Sequence, residues 1–288
     1  MPFNKPITEV IQERFSCRTY AARPIETETL ARLTDYLTSP QIGPFGSQAR
    51  FKLVSATEGD SRALRGLGTY GFIKGAAGFI VGATRDVEKN LEDFGYLMEL
   101  IILMATDLGL GTCWLGGTFA RSKFAKKIST GEDEIIPAVA SFGYIAKNKR
   151  RFDQGIRNSA GSDRRRSWDK LIFDVDFSNP LSQHAAGDYA VPLEMVRRGP
   201  SASNRQPWRI VKDGETWHFY LRRTPGYRNA TYAKLLKLAD LQRIDMGIAM
   251  SHFELTAREM GLDGRWIINE PGISKLDELT EYSVSWVV

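Results

Sequence analysis

The length, composition and charge of the chain exclude several classes of protein. It has 288 residues, of which 42% are hydrophobic and 25% are charged, and these are ordinary values for a folded globular protein rather than a disordered one. The formal net charge of +5 suits an anionic ligand such as a phosphorylated cofactor, but it also suits weak contact with nucleic acid. Charge alone therefore does not choose between these partners.

The sequence also lacks the marks of membrane, secreted and metal-binding proteins. No apolar run approaches the roughly 18 to 20 residues that span a bilayer, and the N-terminal residues contain no signal-peptide core. Two cysteines and three histidines are scattered without ligand spacing. We therefore expect a cytoplasmic protein with no membrane partner and no metal.

The first motif in chain order lies near the N-terminus. A helix is predicted from about Ile7, and it ends in the run RFSCR at residues 14–18. Arg14 and Arg18 offer forked guanidinium donors, and Ser16 adds a neutral donor, which together could hold a phosphate group. A surface helix that simply ends in arginines would look the same, so this motif alone is weak.

The order of predicted elements is the same in the two halves of the chain. Each half has a short amphipathic helix, a loop of small residues and an apolar strand, at residues 26–37, 43–48 and 51–54 in the first half and 192–198, 200–207 and 208–211 in the second. Further strands are predicted at 78–84, 138–143, 217–221 and 282–288. Strands mixed with long helices predict an α+β fold.

An internal repeat supports this division. Residues 93–114 align without a gap against residues 245–266, with 8 identical positions in 22. Each copy reads as a long helix closed by a Gly-Leu pair, and the first copy is apolar nearly all round, which predicts a buried central helix. A pair of similar core helices in one α-rich domain is the alternative. The matching flanking elements favour two related halves, divided at residues 1–178 and 179–288.

Between the halves, residues 147–179 are polar and carry the basic clusters KRR at 149–151 and RRR at 164–166. Few helix or strand signals precede Trp168, so we expect an extended connection without secondary structure.

Two loops have the composition of a ligand site. In residues 200–207, small residues allow a flat ligand to approach the backbone, while Ser201, Ser203, Asn204 and Gln206 offer donors and acceptors. A plain helix-to-strand turn is the alternative. The glycine-rich stretch at 109–117 also permits close approach, but it does not match the dinucleotide fingerprint of a Rossmann fold.

In combination, three motifs resemble the nitroreductase / FMN reductase family: Arg14-x-Ser16-x-Arg18, the run PSASNRQPW at 200–208, and the long helix ending in GLGTCWLGG at 109–117. In that family, a homodimer binds FMN at the subunit interface. Here the first half has the arginine motif with a degraded loop, and the second half has the intact loop without the motif. The resemblance therefore implies a nitroreductase fold in which one chain forms an intrachain pseudo-dimer, acts as a monomer and keeps one FMN site.

The resemblance also implies which residues hold the cofactor. The arginine-serine motif and a late basic residue, either Arg164 or Arg166, would bind the phosphate, and residues 115–117 would lie beside the flavin N5 edge. The full set is Arg14, Phe15, Ser16, Arg18, Lys74, Leu115, Gly116, Gly117, Arg164, Arg166, Pro200, Ser201, Ala202, Ser203, Asn204 and Gln206.

The function that follows is hydride transfer from NADH or NADPH, through bound FMN, to an electron-poor small molecule such as a nitroaromatic or a quinone. No catalytic side chain is expected, because the flavin carries the chemistry. The alternative is an FMN-binding protein without turnover, acting as a store or sensor. A nucleic-acid-binding role for residues 164–166 is disfavoured, since no aromatic residues interleave with the basic ones.

Overall fold

A computed structural model describes residues 3–39, 42–55, 64, 67–147, 151–162, 164–227 and 239–288. The helices in these ranges are α1 (Ile7–Glu13), α2 (Thr27–Thr38), α3 (Asn90–Asp107), α4 (Arg121–Ile128), α5 (Arg151–Ala160), α6 (Gln183–Ala186), α7 (Ala190–Arg198) and α8 (Leu241–Glu259). The strands are β1 (Ala49–Ser55), β2 (Gly78–Arg85), β3 (Gly111–Leu115), β4 (Glu134–Ile135), β5 (Val139–Gly143), β6 (Ile172–Asp174), β7 (Trp208–Asp213), β8 (Thr216–Arg222), β9 (Arg265–Ile267) and β10 (Thr280–Val287).

The predicted α+β class is confirmed, and the predicted strands and short helices agree with the structure to within about two residues at each end. Within the described ranges, the strands form two sheets of five. The first sheet has the order β1-β2-β5-β3, with β4 beside β2, and the second has the order β6-β7-β8-β10-β9. Leaving out β4 and β6, the two orders correspond strand for strand, so the repeat seen in the sequence is a repeat of topology.

The long helices α3 and α8 are the two copies of that repeat, and they pack against each other at two glycines. A Cβ atom on Gly95 would lie 2.3 Å from the carbonyl oxygen of Ile244, and one on Gly247 would lie 2.0 Å from that of Glu92. Both distances are shorter than any real contact, so only glycine allows this crossing. The two glycines, which are matched positions of the repeat, therefore mark the junction of the two halves.

Each long helix is also part of the other half's core. Ile244 and Ile248 of α8 belong to the apolar cluster built mainly from α3 and the first sheet. Tyr96 of α3 packs against the cluster built from α8 and the second sheet. As predicted, α3 is buried along nearly its whole length. Apolar side chains of each long helix therefore reach the core of the other half.

The prediction for residues 147–179 was wrong. This segment contains helix α5, a 3₁₀ turn at Trp168–Lys170 and strand β6. Helix α5 carries Phe152, Ile156 and Ala160 at four-residue spacing, a helical signal that the surrounding basic and polar residues obscure. Contacts with distant segments also hold it: Asp153 is buried and accepts a hydrogen bond from the Thr19 hydroxyl. Strand β6 precedes the predicted division at residue 178, yet it pairs in parallel with β7 of the second sheet.

We expect the helix crossing to be intolerant of a single methyl group. Gly247→Ala should lower the free energy of unfolding by at least about 2 kcal/mol, because the methyl group would overlap the backbone of α3, which cannot move without shifting the first half. Gly272→Ala is the matched control, since no atom lies within 4 Å of its added Cβ; its effect should stay within about 0.5 kcal/mol. Urea unfolding of both variants measures the difference, and equal midpoints would contradict the argument.

Candidate functional site

Two adjoining cavities lie between the halves of the chain. The larger one, which we call the arginine cavity, has a volume of about 540 Å³. It is lined by Ile11, Gln12, Arg14, Phe15, Ser16, Arg18, Arg157, Ala160, Ser162, Arg165, Arg197, Arg198, Pro200, Ser201, Ser203 and Asn204. None of these described lining residues is acidic, so the cavity has the electrostatic character of an anion site.

The smaller cavity, which we call the apolar cavity, has a volume of about 290 Å³. Its walls include Phe72, Trp114, Leu115, Gly116, Gly117, Ile156, Ala202, Leu241, Ile244, Asp245 and Ile248. Ser16, Arg18 and the loop residues Pro200, Ser201 and Ser203 line both cavities. A positively charged cavity that suits an anion therefore opens beside a mostly apolar one, and the same loop forms part of both walls.

The loop at residues 200–206 adopts an unusual backbone conformation. Ser203, Asn204 and Gln206 have φ values of 49°, 54° and 50°, in the left-handed region that non-glycine residues rarely occupy. The loop is held there from below by Asp245 of α8, whose Oδ1 accepts a hydrogen bond of 2.9 Å from Ala202 N. Backbone strain of this kind concentrates at ligand sites, where the surrounding structure fixes it.

The polar side chains of the loop bind the connection between the halves. Asn204 Nδ2 donates to the carbonyl oxygen of Gly161 at 2.6 Å, and Arg165 donates to Asn204 Oδ1 at 3.2 Å. Gln206 Oε1 accepts from Arg166 N at 2.8 Å. The amide groups of Asn204 and Gln206 therefore join the loop to the segment that follows α5, and this segment is part of the site's architecture.

Arg14 is the most deeply buried cation of the arginine cavity, with 9% of its surface exposed. Burial lowers its pKa, the charge of nearby Arg157 lowers the pKa further, and Glu99 opposes both effects. Its Nε atom has no hydrogen-bond partner among the described residues and lies 3.9 Å from the carboxylate oxygen Oε1 of Glu99. Because Arg14 lines the cavity, its positive charge lies where an anionic group of a ligand would bind.

In the second half, Arg197 and Arg198 at the end of α7 share one carboxylate. Glu194 accepts from Arg197 Nε at 2.6 Å and from Arg198 Nε at 3.0 Å. These arginines add positive charge to the cavity from the second half, whereas Arg14 and Arg18 add it from the first half.

The cavities bring together twelve of the sixteen residues predicted to hold the cofactor. They are Arg14, Phe15, Ser16, Arg18, Pro200, Ser201, Ser203 and Asn204 in the arginine cavity, and Leu115, Gly116, Gly117 and Ala202 in the apolar cavity. Lys74, Arg164, Arg166 and Gln206 line neither cavity. Arg166 lines an adjoining open groove, and Arg165, between the two predicted arginines, lines the arginine cavity.

Lys74 contributes through its backbone. Its N–H donates to the carbonyl oxygen of Arg18 at 2.9 Å, and its own carbonyl oxygen accepts from Tyr20 N at 2.9 Å. The Lys74 side chain is exposed. This residue therefore positions the backbone of the arginine-serine motif.

Sequence reasoning missed several wall residues. Arg157 and Ile156 lie on α5, the helix that the sequence did not predict. Leu241, Ile244, Asp245 and Ile248 share one face of α8, and their three- and four-residue spacing was a signal that could have identified a common wall. Asp245 was a matched position of the repeat, but identity between two copies did not reveal which group it binds.

The corresponding loop of the first half is closed by the equivalent aspartate. Asp93 accepts hydrogen bonds from Phe45 N at 3.1 Å and Ser47 N at 2.9 Å, so both of its oxygens bind the loop. The Phe45 side chain packs against the core of the second half. In contrast, Asp245 Oδ2 is buried without a hydrogen-bond partner among the described residues.

Other kinds of site find no support in the described ranges. No helix there combines the length and apolar character needed to cross a membrane. No group of three His, Cys, Asp or Glu side chains there could hold a metal ion.

Comparison with known proteins identifies one family. The model of the family described as "Putative TM nitroreductase" matches residues 6–257 of this chain. The resemblance that the motifs predict is thereby confirmed. A search of curated proteins finds no match.

Solved structures with the same fold include a protein from Thermotoga maritima described as a putative nitroreductase. It is 20% identical with a TM-score of 0.60, and the alignment covers 100% of this chain and 95% of that one. A nitroreductase with bound FMN from Desulfitobacterium hafniense is 20% identical, with a TM-score of 0.40 and coverage of 50% and 92%. A nitroreductase family protein from Clostridium difficile is 18% identical, with a TM-score of 0.39 and coverage of 52% and 91%.

The buried carboxyl group of Asp245 makes stability depend on pH. Burial raises its pKa well above the ordinary value, the hydrogen bond from Ala202 opposes this, and the charge of Asp240 adds to it. The pKa of Asp245 is higher in the folded state than in the unfolded state. Its contribution to the free energy of unfolding is therefore complete below about pH 4. As pH rises from there towards the folded-state pKa, this contribution falls by about 1.4 kcal/mol per pH unit.

Asp245→Asn should remove this loss, because asparagine keeps the acceptor for Ala202 but does not ionise. We expect the Asp245→Asn variant to become progressively more stable than the unmodified protein as pH rises from 4 to 8. Thermal unfolding of both proteins across that range measures the difference. Asp188→Asn, at an exposed position, is the control and should follow the unmodified protein. Parallel profiles for Asp245→Asn and the unmodified protein would contradict the assignment.

Proposed function

Because the chain belongs to the nitroreductase family whose model spans residues 6–257, we propose that it is an FMN-dependent NAD(P)H oxidoreductase. In this proposal, NADH or NADPH is the electron donor and an electron-poor small molecule, such as a nitroaromatic or a quinone, is the acceptor. The single observation that carries it is the pair of adjoining cavities, one rich in arginine and one apolar, which share the loop at residues 200–204.

The residues present suit FMN on chemical grounds. A phosphate monoester carries a charge of about −1.5 to −2 at neutral pH and needs several charge-assisted donors. Arg14 supplies a positive charge at the wall of the arginine cavity, and Arg18 and Ser16 line both cavities. A planar aromatic ring system needs a mostly apolar space with a few polar groups, and the walls of the apolar cavity have this composition.

We assign binding of the FMN phosphate to Arg14, Ser16 and Arg18. Arg165, from the connection between the two halves, is assigned the same role. The sequence resemblance pointed to Arg164 or Arg166, but Arg165 is the member of this run that lines the arginine cavity. The ring end is assigned to residues 115–117 and to Pro200, Ser201 and Ala202. At Gly116, a Cβ would lie 2.6 Å from Leu241, so glycine lets the wall of α8 approach closely.

When bound, FMN would supply the hydride-transfer chemistry that no protein side chain provides. The chain's own part is to bind the phosphate, orient the ring and exclude water. Phe72, Ile244 and Ile248 form apolar walls that exclude water. The strained loop is held by Asp245 and by the connection in advance of any ligand, which reduces the entropy lost on binding.

We further propose that the chain acts as a monomer with one site. The walls of both cavities come from the two halves of the same chain. The equivalent loop of the first half is bound by both oxygens of Asp93, and Phe45 is packed into the core of the other half. A symmetric dimer would have a second FMN site. These contacts support the proposal that this chain lacks it.

The purified protein should show a flavin absorption band that bleaches when NADH or NADPH is added without oxygen. Arg18→Ala should lose a phosphate donor and weaken FMN binding by about tenfold or more. Asn204→Ala should have a similar effect from the other half, because it frees the loop from Gly161 and Arg165. The visible spectrum after gel filtration measures retained flavin.

Arg85→Ala is the control for the loss of one positive charge. Arg85 is exposed, pairs with Asp133 and lines neither cavity, so this variant should retain flavin. A protein that takes up no FMN would overturn the proposal. A bound flavin that neither nucleotide reduces would instead favour the store or sensor.

A further inference from the structure

A carboxyl group and an imidazole are completely buried beneath the two cavities. Glu99 of α3 and His252 of α8 both have 0% of their side chains exposed, and Glu99 Oε1 lies 3.0 Å from His252 Nε2. Neither residue lines a cavity, and the assignments above give neither a role. Burying ionisable groups is unfavourable unless they are paired, so the position calls for an explanation.

Glu99 contacts one wall residue of each cavity. Trp114 Nε1 donates to Glu99 Oε2 at 2.7 Å, and Trp114 lines the apolar cavity. Arg14 Nε lies 3.9 Å from Glu99 Oε1, and Arg14 lines the arginine cavity. Any negative charge on Glu99 is therefore felt directly at Arg14.

Hydrogen bonding fixes how many protons the pair holds. His252 Nδ1 lies 2.9 Å from the carbonyl oxygen of Met195. A carbonyl oxygen only accepts, so Nδ1 must carry a hydrogen. His252 Nε2 and Glu99 Oε1 lie 3.0 Å apart, so a second proton must lie between them, either on Nε2 or on Oε1. With the proton on either atom, the net charge of the pair is zero.

We propose that His252 is a positioning residue that keeps the charge of Arg14 available to an anion in the arginine cavity. A carboxylate with no shared proton, 3.9 Å from Arg14, would neutralise that arginine and compete with a phosphate group. With the proton supplied by His252, Glu99 anchors Trp114 without neutralising Arg14. This inference rests on the proposed function, because it takes the flavin phosphate as the anion.

A purely structural role makes a different prediction. The pair also links α3, α8, α7 and β3, since Met195 belongs to α7 and Trp114 to β3. If this linkage were its whole role, any change to it would loosen both cavities. Flavins with and without a phosphate would then lose affinity together, and a second change would add to the first.

The test compares FMN with riboflavin, which lacks the phosphate, in the full-length protein. Fluorescence titration gives the Kd of both flavins for the unmodified protein, His252→Gln, Glu99→Gln and the double variant. His252→Gln removes the ionisable proton, so the FMN Kd should rise by about tenfold or more, while the riboflavin Kd changes by less than about threefold. Glu99→Gln removes the carboxylate, so the double variant should regain FMN affinity, to within about threefold of the unmodified protein.

Equal losses of FMN and riboflavin affinity in His252→Gln, or no rescue in the double variant, would overturn the inference. If His252→Gln does not fold, as judged by urea unfolding, a long-range ¹⁵N–¹H NMR spectrum of the unmodified protein decides: hydrogen on Nδ1 of His252 is expected, and its absence would overturn the inference. If the unmodified protein takes up no FMN, the proposed function itself is wrong. If it takes up FMN but His252→Gln leaves the ratio of the FMN Kd to the riboflavin Kd unchanged, only the proposed role of His252 is wrong.

Discussion

The close crossing of α3 and α8 is the constraint on which the rest of the structure depends. Because Gly95 and Gly247 bring the two backbones into contact, each helix reaches past the other into the opposite core. This crossing places one face of α8 beside the end of β3, where the apolar cavity forms. The same crossing brings His252 within hydrogen-bond distance of Glu99. The site is therefore a product of how the two halves meet, and neither half contains it alone.

The same aspartate position has a different role in each half of the chain. Asp93 and Asp245 occupy equivalent positions and both accept hydrogen bonds from the loop above them. In the first half, two backbone amides satisfy both carboxylate oxygens. In the second half, one amide is bound, the other oxygen is left buried, and the loop stands in left-handed conformations over a cavity. The difference between a closed position and an open one is thus set by the loop sequence, since the helix residue is the same.

The sequence carried enough information for the repeat, the α+β class and most of the wall residues, because these depend on periodicity and on local motifs. It signalled α5 only weakly, because three of that helix's ten residues are apolar and a contact with distant Thr19 helps to hold it. It also did not reveal Arg157, Arg165 and Arg197, which come from separate elements and meet only in the folded chain. The Glu99–His252 pair was equally hidden, since two residues 153 positions apart have no sequence pattern that links them.

The covalent link between the halves has a physical consequence for the site. Where two separate subunits form a binding site, the site exists only at protein concentrations that maintain the dimer. In this chain, the connection holds the two walls at a high effective concentration, which does not change on dilution. It also takes part in the structure, because residues that follow α5 bind Asn204 and hold the strained loop. A segment that only joined the two halves would need none of these contacts, so the connection forms a third wall of the candidate site.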